Sequence, residues 1–261
     1  MSDPRADACR FSRAVARRPG PDFAGGITAA DLGPPEYDRI LRQHDAYLDA
    51  LRLAGLDVAV LEPLTGFPDA YFPEDAAVVF PEAAVITRPG AEARRGETPT
   101  IEEALRPHRR IERIEPPGTI DGGDVFRLGG TFFVGISGRT DRAGAEALGA
   151  IVERYGYAWA PVPVREGLHL RSGANPLGPG TVLLHEVYRD EPAFRFLEKV
   201  FVELEEGYGA NALRVNDTIL IAAGFPRLRE RIERLGAPVI PLGLSEPRKM
   251  DGGLTCMSLR F

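Results

Sequence analysis

The chain is poor in cysteine. Only Cys9 and Cys256 occur in 261 residues, too few for a disulfide framework, so a reducing cytoplasm is the expected compartment. No apolar segment follows Met1 and no long uncharged apolar run appears anywhere, so neither a signal peptide nor a membrane span is expected. Positive charge is not in excess. The formal net charge of −6 argues against a nucleic-acid partner and is compatible with a cationic ligand. What the chain has in quantity is turn residues. Its 29 glycines and 23 prolines are spread throughout, which points to many short elements joined by tight turns. Apolar content of 44% and charged content of 27% are those of a globular protein, long enough to bury a core without disulfides or metals.

One pattern recurs: a short hairpin, a polar turn, an amphipathic helix, then an apolar strand. The helix–strand halves are clearest at His44 to Leu64, Arg142 to Val164 and Arg227 to Leu244. Leu48, Leu51 and Leu53 in the first, and Leu148, Ile151 and Val152 in the second, fall at helical spacing. Each helix is expected to stop at a glycine, Gly55, Gly156 or Gly236. The hairpin halves are Glu74 to Arg88, Gly122 to Arg139, Asn211 to Gly224 and Ser172 to Glu186. The turns of the first three carry Pro81, Gly129–Gly130 and Asn216–Asp217. Further helices are predicted over Thr98 to Leu105 and Pro192 to Val202. The N-terminal "CRFSRAVAR" and the C-terminal "LTCMSLRF" can pair to complete a fifth unit. Five units of about 40–50 residues fit a closed ring; a generic open α/β sheet fits the same pattern.

Chemistry-bearing residues form four clusters. Cys256 follows Asp251, Gly252 and Gly253, beyond a flexible turn, and a thiol there is either a small buried hydrophobe or a nucleophile awaiting a cation. His169 precedes the Gly/Ser-rich "RSGAN", a strand–loop junction suited to proton transfer. His44 and His108 fall on polar helix-like segments and are expected in solvent, and His185 ends an apolar strand as a structural residue. Cys9 lies in a polar tail of about ten residues, expected to be mobile. Asp69, Glu74 and Asp75 stand among Phe67, Tyr71 and Phe72, and paired carboxylate oxygens match the N–H fork of a guanidinium. Asp121 and Asp124 flank two glycines, a plain turn or a buried carboxylate that orients a histidine. Arg94, Arg95 and Arg139 each follow a strand, where a guanidinium can clamp a substrate carboxylate. Together these supply the roles needed by an enzyme acting on an arginine-like molecule.

The same segments carry a resemblance. "FPDAYFPEDAAVV", "ITRPGAEARRGE", "PGTIDGGDVF", "FVGISGRT", "LHLRSG", "GANALRVND" and "SEPRKMDGGLTCMSL" occur in the order found in the dimethylarginine dimethylaminohydrolases. The chain from Phe11 to its end resembles that family, which is part of the guanidine-modifying (pentein) superfamily. The resemblance implies one domain over residues 1–261, a five-bladed α/β propeller of ββαβ-like units with pseudo-fivefold symmetry. It implies Cys256 as nucleophile, His169 as general acid/base and Asp121 as its partner. Asp69, Glu74 and Asp75 would line the guanidinium pocket, and Arg94 and Arg139 would hold the substrate carboxylate. Phe23 and Met250 would meet the α-amino end through their backbones. No cofactor and no metal are implied, and Cys256 with His169 fall short of the ligand count of a zinc site. The expected partner is a small methylated arginine, with no nucleic acid or membrane, in a monomer or homodimer. Two departures touch the pocket rim: Phe23 replaces a smaller aliphatic residue and Pro73 replaces the usual valine. Arginine deimination, amidino transfer and non-catalytic arginine binding are the competing readings.

Overall fold

The computed structural model describes residues 7–261. Its strands form five sheets of three strands each. The first sheet unites the chain ends. In it β1 (Arg13–Arg17) runs parallel to β2 (Asp57–Leu61) and antiparallel to the last strand, β15 (Ser258–Arg260), with Val15 opposite Leu259. The other four each take one continuous stretch. They comprise β3 (Ala77–Val79), β4 (Ala83–Ile86) and β5 (Arg110–Arg113); β6 (Val125–Leu128), β7 (Thr131–Ile136) and β8 (Ala158–Pro163); β9 (Ala174–Gly178), β10 (Thr181–His185) and β11 (Glu198–Val202); and β12 (Leu213–Val215), β13 (Thr218–Ala222) and β14 (Val239–Leu242). Each opens with an antiparallel hairpin and adds a parallel third strand.

A parallel neighbour cannot follow a tight turn, so each third strand needs a crossover. Helices α1 (Tyr37–Leu53), α2 (Thr98–Leu105) and α3 (Arg142–Arg154) supply it in the first three units. Two short helices, α4 (Leu170–Gly173) and α6 (Ser245–Lys249), precede β9 and the Cys256 turn, and α5 (Pro226–Glu233) crosses between β13 and β14. α3 shows the local logic. The Asp141 carboxylate accepts from the Gly144 amide at 2.7 Å and caps the helix. Leu148 and Val152 are fully buried and Ile151 nearly so, each stabilising by about 1.5–3 kcal/mol. The helix-ending glycines Gly55, Gly156 and Gly236 all take positive φ, as the sequence required.

The first strands of the hairpins gather around one axis: β15 packs against β3, and β9 against both β6 and β12. This is the five-bladed α/β propeller. Buried apolar clusters fill the spaces between blades. Among the described residues no helix is long and apolar enough to cross a membrane.

Four expectations need correction. The stretch Pro192 to Val202 is not a helix. It holds a 3-10 turn at Pro192–Phe194 and then β11, paired with β10 from Thr181–Glu198 to His185–Val202. The open edge of β10 and the β-branched Val200 and Val202 outweigh the helical propensity of "AFRFLEK". Leu53 lies at the end of α1 and is 80% exposed. Cys9 is buried, its Sγ lies 3.8 Å from the Pro176 carbonyl and its own carbonyl accepts from Asn216, so the tail is anchored from that point; residues 1–6 lie outside the described part. His44 is fully buried on the inner face of α1, and neither ring nitrogen has a hydrogen-bond partner among the described residues.

Burial moves the His44 pKa down from 6.5 to about 4. The folded protein therefore holds this ring neutral while the unfolded chain protonates it near 6.5. The stabilisation is complete above pH 6.5 and disappears as pH falls toward 4, a loss of about 3 kcal/mol. Urea unfolding of wild type and His44→Met at both ends of this window is expected to show the smaller acid loss in the variant. Equal losses would refute the assignment.

Candidate active site

Three loops meet at the ends of the first strands. The Asp121–Asp124 turn packs against the Pro73–Ala76 turn so closely that a Cβ on Gly122 would lie 2.0 Å from the Glu74 carbonyl oxygen. A Cβ on Gly123 would lie 2.7 Å from Asp75 Oδ1 and 2.8 Å from His169 Nδ1. Only glycines permit this approach. It leaves the Gly123 amide free to donate to Asp75 Oδ1 at 2.9 Å.

His169 occupies the N-cap position of α4, where its extended backbone turns the ring inward. Its Nε2 lies 3.0 Å from Asp121 Oδ2, and its Nδ1 lies 3.9 Å from Asp75 Oδ1. Asp121 is itself fixed: its Oδ1 accepts from the Gly90 amide at 2.9 Å and its amide donates to Thr140 Oγ1. Asp124 does not reach the imidazole. It accepts from Ser137, Thr140 and the Leu170 amide, and so anchors the start of α4. Of the two acids flanking the glycines, Asp121 is the one on the histidine.

Cys256 follows the turn after α6 and is partly exposed. Its carbonyl accepts from the Glu74 amide at 3.2 Å, and its Sγ lies 4.0 Å from Thr255 Oγ1. Thr255 in turn donates to Glu74 Oε2 at 2.6 Å. Cys256 and His169 line one cavity of about 370 Å³, with Glu74, Gly123, Thr255 and Asn211.

The acids differ in their engagement. Glu74 is buried and receives Arg171 at 2.5 Å and Arg260 at 2.9 Å. Asp75 receives Arg94 at 2.5 Å. Both oxygens of Asp69 accept from the Ile27 amide, at 3.1 and 3.0 Å. Arg94 is buried and forks onto both Glu97 oxygens at 2.9 and 2.8 Å, while its Nη2 also reaches the Asp69 and Phe72 carbonyls. One hydrogen on its Nη1 lies outside these bonds. Arg95 is bound to the Pro89 carbonyl instead. Arg139 places its Nη1 3.7 Å from Asp121 Oδ2.

These charges set the protonation states. Burial raises the Cys256 pKa to about 12, with the fields of Glu74 and Asp75 adding to it. For His169 burial alone would favour the neutral ring, but Asp75, Asp121 and Asp124 outweigh it and raise the pKa to about 9. At neutral pH the ligand-free site therefore holds a thiol beside an imidazolium. Burial raises the Asp69 pKa. Asp75 is held down, against its burial, by His169 and Arg94. Ligand atoms of Asp75, Asp121 and His169 lie within 4.8 Å of one another, but Arg94 and Arg139 already stand on the two carboxylates. The cations that this set holds are guanidiniums.

Two apolar residues need separate treatment. Met250 is buried, near where a Cβ on Gly26 would fall. Phe23 is a core ring, 1% exposed, against Tyr37 and Tyr71, and its carbonyl is taken by the Gly26 amide. The residue over Asp69 is Ile27, whose side chain is 43% exposed. Sequence reasoning also missed Glu97, which holds Arg94, and Asn211. The Asn211 amide group accepts from Thr255 N at 3.1 Å and donates to Thr255 Oγ1 and the Arg171 carbonyl, fixing the residue before the thiol. The Glu97 signal was its spacing of three from Arg94; Asn211 had none beyond its place before a hairpin.

Two measurements test this arrangement. The His169 ring, followed by nitrogen-15 NMR, is expected to titrate near pH 9 and to move downward by about one unit in Asp75→Asn; a wild-type value at or below 6.5 would sink the charge assignment. The Tyr71 hydroxyl is buried without a hydrogen-bond partner among the described residues. Tyr71→Phe is expected to stabilise the fold by about 1 kcal/mol in urea unfolding, and a comparable loss would mean that the hydroxyl is satisfied in solution.

No model of a known protein family matches the chain. Individual proteins do. The chain is 41% identical to the N(G),N(G)-dimethylarginine dimethylaminohydrolase of Pseudomonas aeruginosa, over 96% of its own length and 100% of that protein. It is 38% identical to the protein of that name from Streptomyces coelicolor, over 95% and 96% of the two chains. A solved structure of the Pseudomonas aeruginosa protein, a cysteine-to-serine mutant complexed with citrulline, superposes with a TM-score of 0.94 at 40% identity, covering 97% of this chain and 100% of that one. The N-terminal domain of ArgZ, a cyanobacterial arginine dihydrolase, shares the fold at a TM-score of 0.85 and 20% identity. With this identity across its whole length, the chain belongs to the dimethylarginine dimethylaminohydrolase family.

Proposed function

We propose that the protein hydrolyses the guanidinium group of an Nω-methylated arginine to citrulline and a methylated amine. The observation that carries this reading is the single cavity onto which Cys256 and His169 both open, with Asp121 on the imidazole and Glu74 at the wall. The assignment of roles starts from charge. Asp69 and Asp75, with Glu74 behind them, receive the cationic guanidinium. Arg139 and the remaining Nη1 hydrogen of Arg94 hold the substrate carboxylate, and the Met250 backbone meets the α-amino end.

The bound cation offsets the negative field that holds the Cys256 proton in place. The thiol then ionises, releasing its proton to solvent. The thiolate adds to the guanidinium carbon. His169 already carries a proton at neutral pH and gives it to the departing dimethylamine as the C–N bond breaks. An S-alkylthiouronium remains on Cys256. The imidazole, now neutral and oriented by Asp121, takes a proton from water as its oxygen adds to the same carbon. Collapse expels the thiolate and leaves citrulline.

Citrulline formation from arginine, monomethylarginine and dimethylarginine, with the released amine identified, tests the reading. Methylated substrates are expected to give citrulline with methylamine or dimethylamine. Cys256→Ser is expected to lose turnover by at least about 10³-fold while calorimetry still detects methylarginine binding. Citrulline from Cys256→Ser at a near wild-type rate would overturn the mechanism. Ammonia release from arginine as the faster reaction would make the enzyme a deiminase.

A further inference from the structure

The five axial strands have two ends. The catalytic cavity lies at their N-terminal ends, because Glu74, Gly123, Ser172, Asn211 and Cys256 all stand just before the first strands of their blades. A second cavity of about 540 Å³ lies at the opposite ends. Its walls come from all five blades and mix apolar groups, Val78, Phe80, Phe126, Phe132, Leu213 and Phe261 among them, with polar ones in near-equal measure. Its polar lining is dominated by one residue type. Arg10, Arg109, Arg127, Arg171, Arg214 and Arg260 all border it, and Glu74 is the sole side-chain carboxylate among the described lining residues.

The partners of these arginines divide them. Arg171 and Arg260 spend their charge on Glu74. Arg10 pairs with Asp7 and Asp217 outside the cavity. Arg109 and Arg214 have no carboxylate partner among the described residues. Arg109 donates to the Phe80 and His108 carbonyls and lies over the Phe261 ring, and Arg214 donates to the Asn216 and Leu177 carbonyls. Carbonyl oxygens satisfy hydrogen-bond geometry but leave the net charge in place. Glu82 and Asp217 act on Arg109 and Arg214 only through longer-range fields, and burial still lowers the Arg109 pKa. A cavity of this size, with aromatic rings and a few fixed guanidiniums in its walls, has the make-up of a ligand site.

We propose that this second cavity binds a small organic anion, a carboxylate or phosphate on an apolar body, with Arg109 and Arg214 as its charge partners. The anion approaches along the propeller axis from the side opposite the thiol. Among the described residues only Glu74 and Arg171 border both cavities, so the two ligands share a wall and not a space. The inference does not depend on which reaction Cys256 performs.

Fluorine-19 NMR with 4-fluorobenzoate as probe tests it. Line broadening is expected with the wild-type protein, reversed by excess unlabelled benzoate, and absent with uncharged 4-fluorobenzamide. Arg109→Gln/Arg214→Gln is expected to bind about tenfold more weakly. In Cys256→Ser, saturating dimethylarginine is expected to leave the probe bound. Displacement by dimethylarginine would place the probe in the catalytic cavity and overturn the proposal. Equal binding of the benzamide, or no broadening in the wild type, would overturn it too, and these arms stand even where the double variant does not fold.

Discussion

The carboxylate of Glu74 is the point on which the molecule turns. It is buried on the propeller axis just ahead of β3, and the groups that satisfy it come from other blades: Arg171 in α4, Arg260 in β15 and Thr255 in the turn before that strand. A buried charge is tolerable only when paired and hydrogen-bonded, and removing one partner of such a pair costs about 3–5 kcal/mol. The apolar packing between blades is non-directional and sets distance but not register. The Glu74 network adds direction, holding α4 and the 255–260 segment to one pair of oxygens. The same carboxylate lies at the wall of the catalytic cavity, so the interaction that positions the blades also shapes the field at the sulfur.

In the proposed mechanism the nucleophile acts as an anion, yet the field around it is acidic. Carboxylates around a thiol disfavour the thiolate, and Glu74 and Asp75 do so here. The same acids keep His169 protonated. In the proposed mechanism the sulfur stays protonated until a cation placed between the acids and the sulfur relieves this field. Reactivity is tied to the charge of the substrate, a form of selectivity that needs no moving part. The thiol of Cys9 shows the contrast. Burial pushes it up to about 12 as well, but it lies against Pro176 at the opposite ends of the strands, away from the imidazole.

Much of this was legible in the sequence because its signals are local. Hairpin turns at Gly129–Gly130 and Asn216–Asp217, helix stops at Gly55, Gly156 and Gly236, and the pairing of the chain ends all rest on short-range chemistry or on alternation of apolar residues. The family motifs added the closure of the ring. What was missed depends on partners far apart in the chain. β11 was read as helix because its strand character comes from the edge of β10. His44 and Leu53 exchanged their expected environments because the face of α1 that meets the core is fixed by packing. Phe23 and Ile27 are both apolar residues near the glycine pair, and the structure separates them by burial and by the Ile27 amide's bonds to Asp69. Asn211 acts through Thr255, a contact spanning 44 residues that no window in the sequence contains.

The pairing of β1 with β15 has a consequence for synthesis. β1 is synthesised well before its antiparallel partner β15. The first blade therefore stays open until β15 is made, with α1 and β2 waiting on a strand about 240 residues away, a long closure to complete. Cys256 lies just ahead of β15. A chain that stops short of this segment displays neither the finished acid pocket nor the sulfur.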